Sequence, residues 1–229
     1  MANIAVIPAR GGSKRIPRKN IKMFHGKPLI SYSIEAAIKS ECFDRIIVST
    51  DDEEIAEVAL SCGAEVPFIR KDELANDYAG TTPVIQDALR RINDSSFEYV
   101  CCIYATAPML KAQYIKQGLE LLEQSQDSHY AFSLTSYAFP IQRALNLSDS
   151  NYVKMIDATK LNVRSQDLEE AWHDAGQFYW GTKEAWQQAL PIFSEHSLGV
   201  KLPRYLVQDI DTLEDWRTAE LMYQAWIET

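Results

Sequence analysis

Cysteine is scarce in this chain: Cys42, Cys62, Cys101 and Cys102 are the only four, and no two form a C-x-x-C pair. Cys101 and Cys102 sit inside an apolar run and read as buried thiols of a reduced, cytoplasmic protein. Long apolar runs are missing as well. Nothing approaches the ~20 residues needed to cross a bilayer. The N-terminal apolar run is too short for a signal peptide and is broken by Arg10. Basic charge is in deficit, with 23 Lys and Arg against 32 Asp and Glu and a net charge of −9. That balance argues against general nucleic-acid affinity. Glycine-rich nucleotide motifs are absent too. No G-x-G-x-x-G occurs, and Gly26-Lys27 runs into Pro28 with Ile21 where a Walker A loop needs glycine. His25, His129 and His196 have no ligand-spaced partners. Ser31, Ser33 and Ser49 lack a nucleophile elbow, which excludes a hydrolase triad. No repeat, low-complexity stretch or linker divides the chain.

What the chain does have is one dense patch of positive charge. Residues 10–22 (RGGSKRIPRKNIK) carry Arg10, Lys14, Arg15, Arg18, Lys19 and Lys22, and no Asp or Glu precedes Glu35. The apolar run 3–9 (NIAVIPA) before it reads as a buried strand. Gly11 and Gly12 fall where strand gives way to loop. They allow positive φ and let backbone amides turn toward a ligand. A cationic loop at a strand end in an acidic protein suits a concentrated anion, and a nucleoside triphosphate is the obvious candidate. The alternative is a solvated basic turn.

Strands and helices alternate after the loop. Pro28–Ser40 reads as a helix with Pro28 in its first turn, and Arg45–Thr50 as a strand. Thr50 and Glu53 match a capping box opening a helix to about Ser61, ended by Gly63. Val66–Ile69 reads as a short strand. Thr82-Pro83 reads as a cap and first turn of a helix to about Ile92. Tyr99–Tyr104 is a strand apolar on both faces, as in the centre of a parallel sheet. A helix at Ala112–Gln124, strands at His129–Ser136 and Gly176–Gly181, and a last helix at Leu213–Trp226 follow. With 46% apolar residues over 229 positions, the pattern predicts one α/β domain, doubly wound and mostly parallel. An excursion at about 137–175 stands out from it. Ligands of such sheets sit beyond the carboxyl ends of the strands. There the basic loop, the Asp51 region, the Asp77–Thr82 region and Ala105–Pro108 would converge.

Two further clusters carry chemistry. Asp209 and Asp211, two apart in an extended segment, point to one side. Beside bound phosphates they suit Mg²⁺, which takes one or two carboxylates plus phosphate and water oxygens. The local alternative is a helix N-terminus, since Thr212 and Asp215 match a capping box. In residues 172–180 (WHDAGQFYW), His173 and Asp174 suit acid–base work, and Gln177 and Tyr179 hydrogen bonding to a sugar. The alternative is a core strand with solvated ends.

The run Ile7–Asn20 (IPARGGSKRIPRKN) resembles the N-terminal signature of the acylneuraminate cytidylyltransferases, the CMP-sugar-acid synthetases. The resemblance continues through Phe43–Asp51, Glu73–Asp77 and Asp209–Thr212, over most of the chain. Within the family, residues 104–108 (YATAP), 139–145 (FPIQRAL), 164–170 (RSQDLEE) and 173–181 (HDAGQFYWG) resemble the branch acting on pseudaminic acid. The resemblance implies a Rossmann-like, three-layer α/β/α nucleotidyltransferase with a protruding dimerisation arm. It also implies a reaction in which CTP and a nine-carbon 2-keto sugar acid give CMP-sugar and pyrophosphate, serving surface-glycan or flagellin glycosylation. Sialic, legionaminic and ketodeoxyoctonic acids are the alternative substrates. A non-catalytic nucleotide or sugar-binding module is the alternative of another class.

Carried over by position, Ala9, Arg10, Gly11, Gly12, Ser13, Lys14, Lys19 and Asn20 would hold nucleotide, with Arg10, Lys14 and Lys19 on the triphosphate. Arg70, Asp77 and Thr81 would take the cytidine portion, and Asp209 and Asp211 would hold Mg²⁺. Tyr104, Thr106, Arg164, His173, Gln177 and Tyr179 would face the sugar, Arg164 on its carboxylate. Asp211 is the candidate base. The chain would be a homodimer with the excursion swapped across the interface. Where sialic acid enzymes carry Q-P-T-S-P-L-R, this sequence has residues 104–110 (YATAPML), and Asp174-Ala175-Gly176 replaces an asparagine-glycine step. Both changes favour a sugar with deoxy and methyl groups over ordinary sialic acid.

Overall fold

The computed structural model describes residues 2–76 and 80–228. Strand β1 (Ala2–Pro8) leads through the basic loop into a small hairpin, β2 (Met23–Phe24) with β3 (Lys27–Pro28), and then helix α1 (Leu29–Ser40). Next come β4 (Arg45–Ser49), α2 (Glu53–Ser61), α3 (Thr81–Ile92), β5 (Phe97–Ile103), α4 (Ala112–Glu123) and β6 (Tyr130–Ser136). A second hairpin pairs β7 (Leu145–Leu147) with β8 (Val153–Met155). The chain then returns through β9 (Trp172–Thr182), α5 (Lys183–Gln187), β10 (Ser197–Lys201) and α6 (Leu213–Ile227).

The main sheet has six strands in the order β10-β6-β9-β5-β1-β4. β1 is parallel to β4 and β5, and β10 is parallel to β6. β9 is antiparallel to both its neighbours, so it alone runs against the rest. Alternation along the strands feeds two cores. Ile4, Val6, Val100 and Cys102 face α3 and α5, packing with Ile85, Leu89 and Trp186. Ala5, Ile7, Cys101 and Ile103 face α1, α2 and α4, packing with Ile34, Ile55 and Leu119. The result is the three-layer α/β/α sandwich expected from the strand–helix alternation. α6 stands apart: Trp216 and Ala219 pack on Phe24, Leu29 and Tyr32 beside the first hairpin.

Several local expectations are corrected. α2 is capped by Asp52, which accepts from the Ile55 amide at 3.0 Å, and not by Thr50. Thr50 is fully buried at the end of β4, and its hydroxyl accepts from the Asp52 amide instead. Val66–Ile69 forms no strand; single bridges at Glu65 and Ile69 are all that join it to the sheet. Thr81 already opens α3, with Gly80 at the cap position. Pro28 caps α1 from outside its first turn. The reversed strand is longer than residues 176–181 suggested, and its pairing with β6 shifts between Phe132 and Leu134.

Candidate active site

A cleft of about 670 Å³ opens where the basic loop, the start of α3 and the segments after β5 and before α6 meet. Arg10, Ser13, Lys14, Lys19 and Asn20 line it from the basic loop. Arg70, Thr81, Tyr104 and Thr106 line it from the sheet side, and Asp209 and Asp211 from the approach to α6. Sequence positions near 10 and near 210 thus share one cavity. Asp77 lies outside the described residues.

The basic loop is tied down at three points. The Arg18 guanidinium grips both carboxylate oxygens of Asp52 and reaches Glu54. Arg18 itself adopts a left-handed φ of 57°. Asn20, buried, donates from Nδ2 to the Arg10 carbonyl at 2.9 Å. The Gly11 amide donates to Asp51 Oδ1 at 3.1 Å. That last bond corrects the expectation of a glycine amide cradle, because the Gly11 N–H is already committed to a carboxylate. Neither Gly11 nor Gly12 has positive φ. Gly11 is needed for a different reason: a Cβ there would come within 2.5 Å of Asp52 Oδ2. Ala9 is buried and its amide bonds the Ser49 carbonyl, so it shapes the turn without lining the cleft.

Lys19 and Asp211 meet across the whole length of the chain. Lys19 Nζ donates to the Ile210 carbonyl and lies 3.3 Å from Asp211 Oδ1. Arg15, which sequence reasoning named only as part of the basic run, pairs with Asp211 Oδ2 at 2.8 Å. Ile210 is fully buried, which leaves Asp209 and Asp211 on the cleft side. Asp209 opens to solvent, yet the protein around its carboxyl raises its pKa by desolvation, and the negative charge of Asp211 adds to this. A pair of carboxylates under mutual repulsion is a fit donor set for a divalent cation that also takes phosphate oxygens. Among the described residues no cluster of three or more metal-ligating side chains occurs, and a phosphate-bridged ion needs none. The capping box of Thr212 and Asp215 is present too, so the same segment serves both purposes.

Arg70 is only 3% exposed, with Asp51 at 3.5 Å and its Nε without a partner. Burial lowers its pKa, and the charge of Asp51 works against that. A buried cation lining a cleft is a site for an anion or a carbonyl-rich ligand.

The expected sugar residues divide. Tyr104 and Thr106 line the cleft, and the Tyr104 hydroxyl lies 3.0 Å from the Thr81 hydroxyl. Tyr179 and Gln177 do not line it. Both are buried, Tyr179 bonding Asp174 and Gln177 donating to the Leu206 carbonyl. The reversed strand lies between two others, so its side chains on both faces enter the core. His173 bonds the Asp174 carbonyl and packs against Tyr137, and Arg164 pairs with Asp167 at 2.8 Å in the excursion. Neither lines the cleft. Leu74 and Asn76, within the Glu73–Asp77 stretch that carries part of the resemblance, line it too, though no role was assigned to either; Val84 also lines it, and an isolated apolar residue carries no signal of its own in a sequence.

A family model described as Cytidylyltransferase matches residues 4–223. The chain is 50% identical to a pseudaminic acid cytidylyltransferase of Campylobacter jejuni, over 98% of this chain and 97% of that one. It is 32% identical to a CMP-N,N'-diacetyllegionaminic acid synthase of Legionella pneumophila, over 98% and 97% of the two chains. Among solved structures, a CMP-2-keto-3-deoxy-manno-octonic acid synthetase complexed with CTP superposes with a TM-score of 0.71. That match covers 98% of this chain and 100% of the other at 16% identity, a likeness of fold.

Proposed function

This chain belongs to the cytidylyltransferase family, and on that premise we propose that it couples CTP to pseudaminic acid, giving CMP-pseudaminic acid and pyrophosphate. The observation that carries the reading is the single cleft in which Arg10, Lys14 and Lys19 meet Asp209 and Asp211. Such an arrangement suits a triphosphate with a cation. The 50% identity to a pseudaminic acid enzyme over nearly the whole chain supports the choice of sugar.

In this reading the anomeric hydroxyl of the sugar acid attacks the α-phosphorus of CTP and pyrophosphate leaves in line. Transfer of this kind is mostly positioning and charge stabilisation. Arg10, Lys14 and Lys19 hold the triphosphate. Arg70 and Thr81 hold the cytidine portion, and Tyr104 and Thr106 meet the sugar. Asp209 and Asp211 would hold Mg²⁺, which supplies charge neutralisation to the phosphates. Lys19 and Arg15 then exchange Asp211 for phosphate oxygens. Asp211 is the proposed acceptor of the hydroxyl proton.

The working unit in this proposal is a homodimer in the cytoplasm. Phe139, Leu145, Leu147, Tyr152 and Val153 are each more than half exposed on the excursion, an apolar surface suited to a second copy. Arg164 would then serve the partner's cleft. The four free cysteines accord with a reducing compartment.

Pyrophosphate release from CTP, measured with a panel of nine-carbon sugar acids with and without Mg²⁺, tests the reading. Release with pseudaminic acid, abolished by chelator, is expected. Release with sialic or legionaminic acid alone would overturn the substrate. CTP binding without turnover on any acid would overturn the enzyme reading.

A further inference from the structure

We propose that Asp51 registers the two ends of the nucleotide site to one another: a single carboxylate oxygen fixes the peptide that carries Arg10 and also faces Arg70. The inference rests on the nucleotide reading above and deepens it. Arg10 and Arg70 line the cleft and Asp51 does not, so Asp51 is a positioning residue that acts through them.

The end of β4 supports a segment on either flank. On one side the Ala9 amide donates to the Ser49 carbonyl at 3.0 Å, which brings the start of the basic loop alongside. On the other the Arg70 amide donates to the Thr50 carbonyl at 2.7 Å, next to the bridge between Thr50 and Ile69. Ser49 and Thr50 are fully buried, so the strand end is a fixed support. Asp51 is the next residue, and its side chain is 18% exposed.

Asp51 Oδ1 accepts from the Gly11 amide at 3.1 Å. The Arg10 carbonyl, on the same peptide plane, accepts from the buried Asn20 at 2.9 Å. A peptide unit is flat and stiff. Holding its N–H and its C=O limits the backbone rotation that aims the Arg10 side chain. The same Oδ1 lies 3.5 Å from Arg70 Nη2, and the Arg70 side chain is almost wholly buried. Burial lowers the Arg70 pKa, the charge of Asp51 opposes that, and the charge of Arg10 adds to it. Arg10 and Arg70 thus feel one another as like charges, and Asp51 tethers both. In the proposed reading one meets the triphosphate and the other the cytidine portion. The bonds of a nucleotide set the distance between those groups, so cations already in register lose less on binding it. Charge and register act with opposite signs here. Removing a carboxylate beside a triphosphate site should tighten CTP by charge alone, whereas displacing the shared oxygen should loosen it.

The test measures CTP binding in Mg²⁺ by calorimetry for wild type, Asp51→Asn, Asp51→Glu and Asp51→Ala. Asparagine keeps an oxygen for the Gly11 amide and drops the charge; its affinity should stay within about threefold of wild type or tighten. Glutamate keeps the charge and carries the oxygen one methylene away; it should weaken CTP about tenfold. Alanine removes oxygen and charge together and should weaken CTP at least as much. If the alanine variant fails to fold, the asparagine and glutamate variants still decide. A merely structural role would not couple to Arg70. Arg70→Met should cost at least tenfold in wild type and about threefold or less in Asp51→Glu. Lys19→Ala is the control, since its ammonium meets Ile210 and Asp211 instead. Its cost should be the same within about twofold in both backgrounds.

Glutamate binding CTP as well as wild type overturns the proposal, as does asparagine losing as much affinity as glutamate. So does an Arg70→Met cost that is equal in the two backgrounds. A Lys19→Ala cost that shrinks along with it would mean a general loosening of the cleft, and overturns it too. If wild type binds no CTP, the nucleotide reading fails and this inference falls with it. CTP binding by wild type with additive variants sinks the inference alone.

Discussion

Arg18 ties the basic loop to the rest of the molecule, and Arg18→Ala should show how much that tie is worth. Its guanidinium takes both oxygens of Asp52 and also reaches Glu54. The Asp52 pKa falls to about 2 from an ordinary 3.8, chiefly through the hydrogen bond from Arg18, with the Ile55 amide adding to it. At ~1.4 kcal/mol per pH unit the linkage ceiling is about 2.5 kcal/mol. The Arg18 side chain is 37% exposed, and solvent screening brings the figure to about 1 kcal/mol. For a chain of this size that is a fall in Tm of about 2–4 °C.

The sign of the pH dependence follows from the direction of the shift. A carboxylate with a depressed folded pKa contributes stability above its unfolded pKa and loses it as pH falls through the folded one. The gap between wild type and variant should therefore be constant from pH 7 to about pH 4 and close between about pH 4 and 2. Urea unfolding across that range measures it. The loop also carries Lys14 and Lys19, so the KM for CTP should rise in the same variant. A gap that is absent at pH 7, or that widens on acidification, would refute the reasoning.

Other perturbations reach different parts of the molecule. Gly118→Ala would put a Cβ 2.7 Å from Trp180 and 2.9 Å from Phe178, two rings the core holds fixed; thermal melts should show a loss of about 1–3 kcal/mol. Lys19→Ala should lower kcat/KM about a hundredfold in a pyrophosphate-release assay, since in the proposed reading its ammonium meets phosphate charge. Asp211→Asn with saturating Mg²⁺ should cost kcat; near-normal kcat would remove Asp211 from the chemistry. Arg70→Met should weaken CTP binding at least tenfold by calorimetry while leaving Tm within a few degrees, because the buried guanidinium is poorly paired in the fold.

Much of this protein is written locally. The apolar run 3–9, the basic run 10–22 and the apolar helical periodicity after Pro28 are short-range facts, and local sterics turn them into β1, its loop and α1. The Thr212–Asp215 capping box was equally legible, because both partners lie within one turn. Where neighbours compete within a few residues the reading slipped: Asp52 took the cap that Thr50 and Glu53 advertised, since Thr50 is buried at a strand end.

The tertiary structure decided what distant segments do to one another. Periodicity shows that β9 is a strand but not that it runs backwards between β5 and β6. That position buries Tyr179 and Gln177 on the core side of the wall they were expected to line. Likewise the charges of Lys19 and Asp211 are visible in the sequence, but their contact is made across 192 positions by the closing of the sheet. Backbone preference and charge are properties of a few neighbouring residues; which charges meet depends on how strands pair, and pairing is settled by burial over the whole chain.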